Sequence, residues 1–244
     1  MRKFNLIKQS VKRALHAVGI EAHRFNPAAS KLARLMAALR TFHIDLVLDI
    51  GANEGQFGNE LRAGGYSGQI VSVEPMASAH ARLSKVSHGD TGWHVHPRYA
   101  VGDRTGSIEL NIAGNSVSSS VLPMLASHSK AAPESIYQGK ESVPLTTLDL
   151  IVPKYIGQAC APLLKIDTQG YEWQVLDGAM EILPRVRGIV MEVSLIPLYE
   201  GQHLWRESIE RLEAAGFVLW ALESVFVDSA NGRTLQMDAL FFRV

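Results

Sequence analysis

Short apolar runs alternate with amphipathic stretches from about residue 45 to the end of the chain. The apolar runs are residues 45–50, 69–74, 162–167 and 188–193. Runs of this length and composition are typical of strands buried in a parallel sheet. Apolar residues at helical spacing occupy the stretches 54–63, 77–86, 172 onward and 204–215. These repeated strand–helix units predict an α/β domain with a parallel sheet and right-handed crossovers.

The remaining segments of this domain have weaker patterns. Two further strands are predicted over residues 93–101 and 107–112. Residues 114–140 are rich in Ser, Ala, Pro and Gly and lack a clean period, so they predict a long surface excursion. The apolar runs 217–222 and 236–243 flank a turn at Asp228–Gly232, which predicts an antiparallel hairpin at the end of the chain.

Residues 1–40 differ from the body in pattern and in charge. Apolar residues recur every three or four positions between residues 4 and 18, which predicts an amphipathic helix, and a second helix is predicted over 30–40 with Ser30 as its N-cap. This arm carries nine Lys or Arg and one acid, whereas residues 41–244 carry 15 basic and 23 acidic residues. We interpret it as a packing or homodimer element, with contact to an anionic membrane surface as the alternative.

Composition narrows the class of protein. The 244 residues suit one α/β domain, residues 41–244, with the arm added. A single cysteine excludes an intrachain disulfide, and no apolar run approaches the roughly 20 residues that span a bilayer. Aromatic residues make up only 7% and the body is acidic, which argues against a nucleic-acid partner. We therefore expect a cytoplasmic protein with a small-molecule partner.

A glycine turn at residues 48–55 (LDIGANEG) is the first candidate for a ligand-binding site. A strand ends there and a helix begins, and Gly51 and Gly55 let backbone amides approach a pyrophosphate or a carboxylate. The second glycine of the dinucleotide fingerprint G-x-G-x-x-G is missing, which weakens the alternative of an NAD oxidoreductase. Glu74 ends the next strand about 20 residues later, where an acid can bind ribose hydroxyls.

Two more acids end predicted strands, Asp167 and Glu192. The carboxyl ends of parallel strands share one edge of a sheet, so these side chains and Glu74 should face one cleft. One of them could act as a general base, with Asp167 the first choice and Glu192 the second. Alternatively, the acids could hold a divalent cation such as Mg²⁺. Weaker candidates for a base or a hydrogen-bonding group are His128, His203 and the serine run 118–120.

Seven segments, in this order along the chain, resemble the FkbM family of methyltransferases. They are VLDIGANEGQFG (47–58), VEP (73–75), YAVGDRTG (99–106), PLTTLD (144–149), LLKIDTQGYEWQVLDGA (163–179), MEVSLIPLYEG (191–201) and DALFFR (238–243). The segment LLKIDTQGYE is the most specific, whereas the first two occur in many enzymes that use S-adenosylmethionine (SAM). The arm and residues 113–140 fall outside the resemblance.

The resemblance implies a Rossmann-like, mostly parallel sheet of seven strands whose last strand is antiparallel, and it implies SAM as the methyl donor. It assigns the methionine part of SAM to Asp49, Gly51 and Asn53, the ribose to Glu74, and the adenine to the neighbourhood of Ala100 and Asp103. It further implies methyl transfer to a hydroxyl group of a sugar. Glycolipids and other glycosylated natural products fit as acceptors, and another small molecule is the alternative. The basic arm favours a lipid-linked sugar at the inner face of the membrane.

Overall fold

The computed structural model describes residues 13–20, 24–157 and 161–244. The strands are β1 (Leu46–Ile50), β2 (Gln69–Val73), β3 (Trp93–Val95), β4 (Ala100–Val101), β5 (Gly106–Ala113), β6 (Tyr137–Thr146), β7 (Pro162–Ile166), β8 (Gly188–Ser194), β9 (Val218–Val227) and β10 (Thr234–Phe242). The α-helices are α1 (Lys31–Thr41), α2 (Gln56–Ala63), α3 (Ala77–Val86), α4 (Ala126–Ala131), α5 (Leu148–Ile151), α6 (Glu172–Asp177) and α7 (Trp205–Ala214). Single 3₁₀ turns cover Pro133–Ser135, Val152–Lys154 and Leu183–Arg185.

The main sheet has seven strands in the order β3-β2-β1-β7-β8-β10-β9. Strands β3, β2, β1, β7 and β8 pair in parallel, and β10 runs antiparallel to both β8 and β9. This architecture confirms the prediction of a mostly parallel seven-stranded sheet with an antiparallel last strand. Strand β1 pairs with β2 on one side and with β7 on the other, so the strand order reverses there. In open α/β sheets, ligands bind beyond the carboxyl ends of the strands at such a switch point.

The central strands are buried from both faces of the sheet. Every residue of β1 and of β7 is buried. Leu48 and Ile166 belong to one apolar cluster, while Val47 and Leu163 belong to a second cluster on the opposite face. Successive side chains of a strand point to opposite faces of the sheet. The mostly apolar strands β1 and β7 therefore contribute side chains to both cores.

Helix α1 follows the sequence prediction and packs on the second core. The Ser30 hydroxyl accepts a hydrogen bond from the Ala33 amide at 3.3 Å and so caps the helix. Two ion pairs join its outer face to the antiparallel edge of the sheet, Lys31 with Asp238 and Arg34 with Glu223.

The stretch predicted as one strand over 93–101 is divided between two sheets. β3 pairs with β2 in the main sheet, whereas β4 pairs with β6 in a separate three-stranded sheet of order β4-β6-β5. Pro97 lies between the two pieces, and a proline cannot donate a backbone hydrogen bond to a strand ladder. The prediction of one strand was therefore wrong, and the small sheet was not predicted.

The excursion over residues 114–140 is more closely packed than its composition indicates. It contains α4, a 3₁₀ turn and the start of β6. Ser118, Ser120, His128 and Ser135 are buried within it. A backbone bridge between Met124 and Tyr199 joins it to the segment after β8. The hydroxyls of Ser120 and Ser135 can be buried because they donate to the carbonyl oxygens of Gln169 and Ala132, both at 2.6 Å. The low hydrophobicity of this segment therefore did not indicate exposure.

The arm is described only in part. Residues 13–17 are helical, while residues 4–12 of the predicted amphipathic helix lie outside the described residues. Val18, Ile20 and Phe25 are mostly exposed. No helix in the described ranges is long and apolar enough to cross a membrane.

Candidate active site

The turn after β1 requires glycine at residue 51. Gly51 has φ +77°, and a Cβ atom there would lie 1.9 Å from the carbonyl oxygen of Asp167. The amides of Gly51 and Ala52 both donate to the Val73 carbonyl, at 3.0 and 3.1 Å. These contacts hold the ends of β1, β2 and β7 against one another, so the glycine turn and the strand that carries Asp167 form one rim.

Glu74, immediately after β2, forms hydrogen bonds with the glycine turn. Its two carboxylate oxygens accept hydrogen bonds from the backbone amides of Asn53 and Met76, both at 2.8 Å. Asn53 itself has φ +46°, a left-handed conformation that asparagine tolerates better than most residues. Burial raises the pKa of the Glu74 carboxyl to about 7, although the two amide hydrogen bonds oppose the shift. An ionised carboxylate has about four acceptor positions, so two remain for ribose hydroxyls.

Asp49 lies beneath the glycine turn. Its side chain is fully buried, accepts a hydrogen bond from the Ser72 hydroxyl at 3.3 Å and lies 3.4 Å from the ammonium of Lys165. The Trp93 indole donates to the same Ser72 hydroxyl at 3.0 Å. The indole ring also lies so close to Gly58 that a Cβ atom there would be 2.2 Å from it.

Lys165 is a site residue that the sequence analysis missed. It lies on β7, is 8% exposed, and contacts both Asp49 and Asp167, the latter at 3.2 Å. Burial alone would lower the pKa of Lys165, but the carboxylates of Asp167, Asp49 and Asp238 raise it above its ordinary value. Lys165 is therefore a fixed positive charge at the centre of the rim. A lysine inside the apolar run PLLKI was the signal that could have identified it.

Asp167 and Glu192 come together at the carboxyl ends of β7 and β8, as predicted. The side-chain amide of Gln169 donates to Asp167 Oδ1 and to Glu192 Oε2, both at 2.8 Å. The Gln236 amide donates to the same Glu192 oxygen at 2.7 Å. Burial, followed by the charges of Asp167, Asp238 and Glu172, raises the pKa of Glu192 well above its ordinary value. The glutamines were not predicted, because an amide within a polar motif has no distinctive spacing.

One cleft of about 280 Å³ connects these groups. Of the predicted site residues, its lining includes Gly51, Asn53, Glu74, Ala100, Asp167 and Glu192. The lining also includes the apolar residues Val101 and Leu110. Asp238 lies opposite Glu192 across the β8–β10 pair, and Lys31, which forms an ion pair with Asp238, lines the cleft with them.

The other predicted residues lie outside the cleft lining. Asp49 and Gly55 support the turn from behind, and Asp103 is partly exposed and paired with Arg104 at 2.9 Å. His128 is buried against Tyr199 and Phe226, and burial lowers its pKa to about 4.

His203 stacks on Trp173, with the ring centroids 3.5 Å apart, away from the cleft. In the serine run, Ser119 lines the cleft, while Ser118 and Ser120 bond to residues behind it.

Sheet order, the glycine turn and a strand-end acid facing one cleft define an α/β domain built to bind a nucleoside-containing cofactor. The model of the methyltransferase FkbM domain matches residues 49–219, more than half of the chain. The chain therefore belongs to the FkbM methyltransferase family, and its cofactor is SAM. The cleft suits this cofactor, since the glycine turn at Gly51 and the Glu74 carboxylate, which has acceptor positions left for hydroxyls, both line it.

Several solved methyltransferase structures are similar to this chain, at low sequence identity and with TM-scores below 0.5. Magnesium protoporphyrin IX methyltransferase from Synechocystis PCC 6803, solved with bound SAM, is 10% identical, with a TM-score of 0.45 over 87% of this chain and 78% of that one. The methyltransferase domain of bacterial CtHen1-CN is 13% identical, with a TM-score of 0.47 over 87% and 97%. A putative RNA methyltransferase from Pyrococcus horikoshii is 12% identical, with a TM-score of 0.44 over 87% and 83%. No curated protein matches the chain significantly.

Proposed function

We propose that this protein transfers the methyl group of SAM to a hydroxyl of a sugar. The observation that carries the proposal is the pairing of Asp167 with Glu192 in the same cleft as the Gly51 turn and Glu74. One end of this cleft suits the cofactor, and the other end presents carboxylates that can take a proton from an alcohol. An alcohol needs such a base, because its proton must leave as the new carbon–oxygen bond forms.

Bound SAM would supply an activated methyl group, and the residues of the chain then have separable tasks. The Gly51 turn and Glu74 would fix the cofactor, which limits the directions from which an acceptor can approach. Asp167 is our choice for the base, since it lines the cleft and its side chain is 32% exposed. Glu192 is the second candidate, and it would otherwise orient the acceptor hydroxyl.

The character of the acceptor end supports a polyhydroxylated substrate. Asp238 lies beside Glu192 across the β8–β10 pair, and Lys31 reaches it from α1 at 2.6 Å. Carboxylates accept hydrogen bonds and ammonium groups donate them. This end of the cleft can therefore bind neighbouring hydroxyls both as donors and as acceptors. An apolar acceptor would leave these charged groups without compensation for lost water.

The alternative role for the acids is to hold a divalent cation. Among the described residues, no group of three or more His, Cys, Asp or Glu side chains is arranged to hold a metal ion. The oxygens of Asp167 already accept hydrogen bonds from Lys165 and Gln169. Activity that is lost with a chelator and restored by Mg²⁺ would nevertheless require the metal role.

The arm supports a lipid-linked sugar as the acceptor and a cytoplasmic enzyme at the inner face of the membrane. Its exposed Val18, Ile20 and Phe25 lie near basic residues, a composition that suits an anionic surface. Binding to vesicles that contain anionic lipid should then weaken as salt rises. A homodimer or packing role predicts a different result. Deletion of residues 1–25 would change the mass in solution or lower thermal stability, without any effect on vesicles.

The experiment that tests the function combines labelled SAM with a panel of methyl glycosides and cell glycolipids. We expect label to enter at least one of them, and the Asp167→Asn variant to lose turnover while keeping its fold and SAM binding. Asp177→Asn is a matched control, since that acid pairs with Arg211 on the surface. Full activity of Asp167→Asn would exclude Asp167 as base and as metal ligand. Label that entered no hydroxyl compound would overturn the sugar acceptor.

A further inference from the structure

The side-chain amide of Gln169 is the only link that joins both acids directly among the hydrogen bonds of the described residues. Its nitrogen carries two hydrogens, and the nitrogen lies 2.8 Å from an oxygen of Asp167 and 2.8 Å from an oxygen of Glu192. Both donors are thus used. An amide does not titrate in the physiological range, so this link persists whichever acid holds a proton.

Tyr199 fixes the orientation of this amide. Its hydroxyl has one hydrogen, which faces Gln169 Oε1 at 2.8 Å and, at the longer distance of 3.1 Å, the carbonyl oxygen of Ser118. Burial raises the pKa of Tyr199 well above its ordinary value, so the hydroxyl keeps its proton as a donor. A reversed amide would place its oxygen against the Asp167 carboxylate, which is unfavourable. The amino group therefore faces the acids.

The backbone at Gln169 is held in an unfavourable conformation. Its φ is +54°, a left-handed value that is unfavourable for an L-residue. The hydroxyl of Ser120 donates to the Gln169 carbonyl at 2.6 Å, and this bond is buried. Strain of this kind persists only where the surrounding structure enforces it, and it clusters at functional sites.

The hydrogen bonds of Gln169 and Tyr199 also involve residues 117–121, a segment that lines the cleft. Val117, Ser119 and Val121 line the cleft. The alternate residues Ser118 and Ser120 bond to Tyr199 and Gln169. The wall of the cleft and the two acids are therefore connected through one glutamine.

We propose that Gln169, oriented by Tyr199, is a positioning residue that aims the Asp167 and Glu192 carboxylates at the acceptor hydroxyl. The inference rests on the proposed function, because it explains the arrangement of the two acids by their action on an acceptor hydroxyl. Without the amide, the two carboxylates would separate or share a proton directly, and neither arrangement presents both to an acceptor. The other charged groups that face the pair are Lys165 on β7, Asp238 on β10, Glu172 on α6 and Lys31 on α1.

The first test needs no acceptor. Carboxyl carbons of Asp and Glu are labelled with ¹³C and titrated by NMR in the wild type, Gln169→Met and Gln236→Met. Loss of a donor disfavours the ionised form. We therefore expect Gln169→Met to raise the midpoint of Glu192 and to move the carboxyl resonance of Asp167, since both acids lose a donor. Gln236→Met, which removes a donor to Glu192 alone, should raise the Glu192 midpoint and move the Asp167 resonance much less. An unchanged Glu192 midpoint and an unchanged Asp167 resonance in Gln169→Met would overturn the proposal.

The second test uses the methyl glycoside that accepts label from SAM. We expect Gln169→Met to lower kcat 10- to 100-fold and to move its pH profile, with the Kd for SAM within about twofold of the wild type. Tyr199→Phe, which removes only the hydroxyl, should lower kcat about 3- to 10-fold in the same direction.

The outcomes separate the two proposals. A normal kcat and pH profile in Gln169→Met would overturn the positioning role and leave the function standing. If the wild type methylates no glycoside while the NMR midpoints shift as expected, the sugar acceptor fails and the structural role of Gln169 stands.

Discussion

The two ends of the cleft differ in the chemical groups that they present. The end that we assign to the cofactor presents backbone atoms at Gly51 and Asn53 and one carboxylate, Glu74, which is itself held by backbone amides. The end that we assign to the acceptor presents charged and amide side chains, among them Asp167, Glu192 and Gln169, which form hydrogen bonds with one another. The first end is specified largely by a short motif around Gly51, which contacts the backbone of the two neighbouring strands. The second end depends on side chains from several elements far apart in sequence.

Substitution of Gly51 should show the strongest effect at the cofactor end. Alanine there combines a φ of +77° with a Cβ atom 1.9 Å from the Asp167 carbonyl oxygen. We expect Gly51→Ala to lose about 2–5 kcal/mol of unfolding free energy and to abolish SAM binding, measured by denaturant titration and calorimetry. Gly232→Ala is the matched control, because Gly232 has φ +76° with nothing within 4 Å of its Cβ position. Equal losses in the two variants would show that the close approach is unimportant.

Substitution of Glu74 should weaken SAM binding and leave the acceptor end intact. In Glu74→Gln one buried backbone amide and a ribose hydroxyl lose an acceptor, which costs roughly 1.5–3 kcal/mol, or about 10- to 100-fold in Kd. Calorimetry measures this loss. Glu141→Gln is the control, since Glu141 also accepts a backbone amide, that of Ala77, but does not line the cleft. Wild-type affinity in Glu74→Gln would remove Glu74 from the cofactor site.

The pKa of Glu74 makes the cofactor end sensitive to pH. Burial raises the pKa of this carboxyl to about 7, and in the role that we propose its ionised form would accept the ribose hydroxyls of SAM. SAM affinity should therefore be greatest above pH 7 and fall below it, by up to tenfold per pH unit. The amino group of SAM titrates in both proteins, so the comparison with Glu74→Gln isolates the Glu74 contribution. A slope that stays the same in that variant would assign the pH dependence to another group.

The smallest expected effect lies at the acceptor end. The Lys31 side chain is 45% exposed, so Lys31→Met should change stability by less than about 1 kcal/mol and leave SAM affinity unchanged. It should raise KM for the glycoside acceptor, because Asp238 loses its partner at the mouth of the cleft. Arg34→Met is the control on the same helix, since its partner Glu223 does not line the cleft. An equal change of KM in both variants would indicate a general displacement of α1.

The same contrast explains how much could be predicted from the sequence. The seven-stranded sheet and the Gly51–Glu74 half of the site were predictable because both depend on local patterns, namely apolar runs, a glycine turn and a strand-end acid. Asp167 and Glu192 were predictable because parallel strands bring their carboxyl ends to one edge.

The parts that could not be predicted depend on distant contacts. Gln169 and Gln236 meet Glu192 from positions 23 and 44 residues away, and nothing in an isolated glutamine indicates such a bond. The small sheet was missed because Pro97 divides an apparently continuous strand. Asp103 was placed near the adenine by resemblance, and its role stays a prediction, since its side chain pairs with Arg104 instead of lining the cleft.

The packing of Trp93 against the start of α2 gives the protein an intrinsic optical reporter. Trp93 is buried, and its ring contacts Gly55 and Gly58 immediately behind the glycine turn. The indole nitrogen is bonded to Ser72, which in turn bonds to Asp49, so a change of charge or geometry at the turn alters the electric field at the chromophore. The arrival of a positively charged sulfonium in the cleft should therefore shift the emission of this tryptophan. Occupancy of the cofactor end could then be followed in real time without a label and without knowledge of the acceptor.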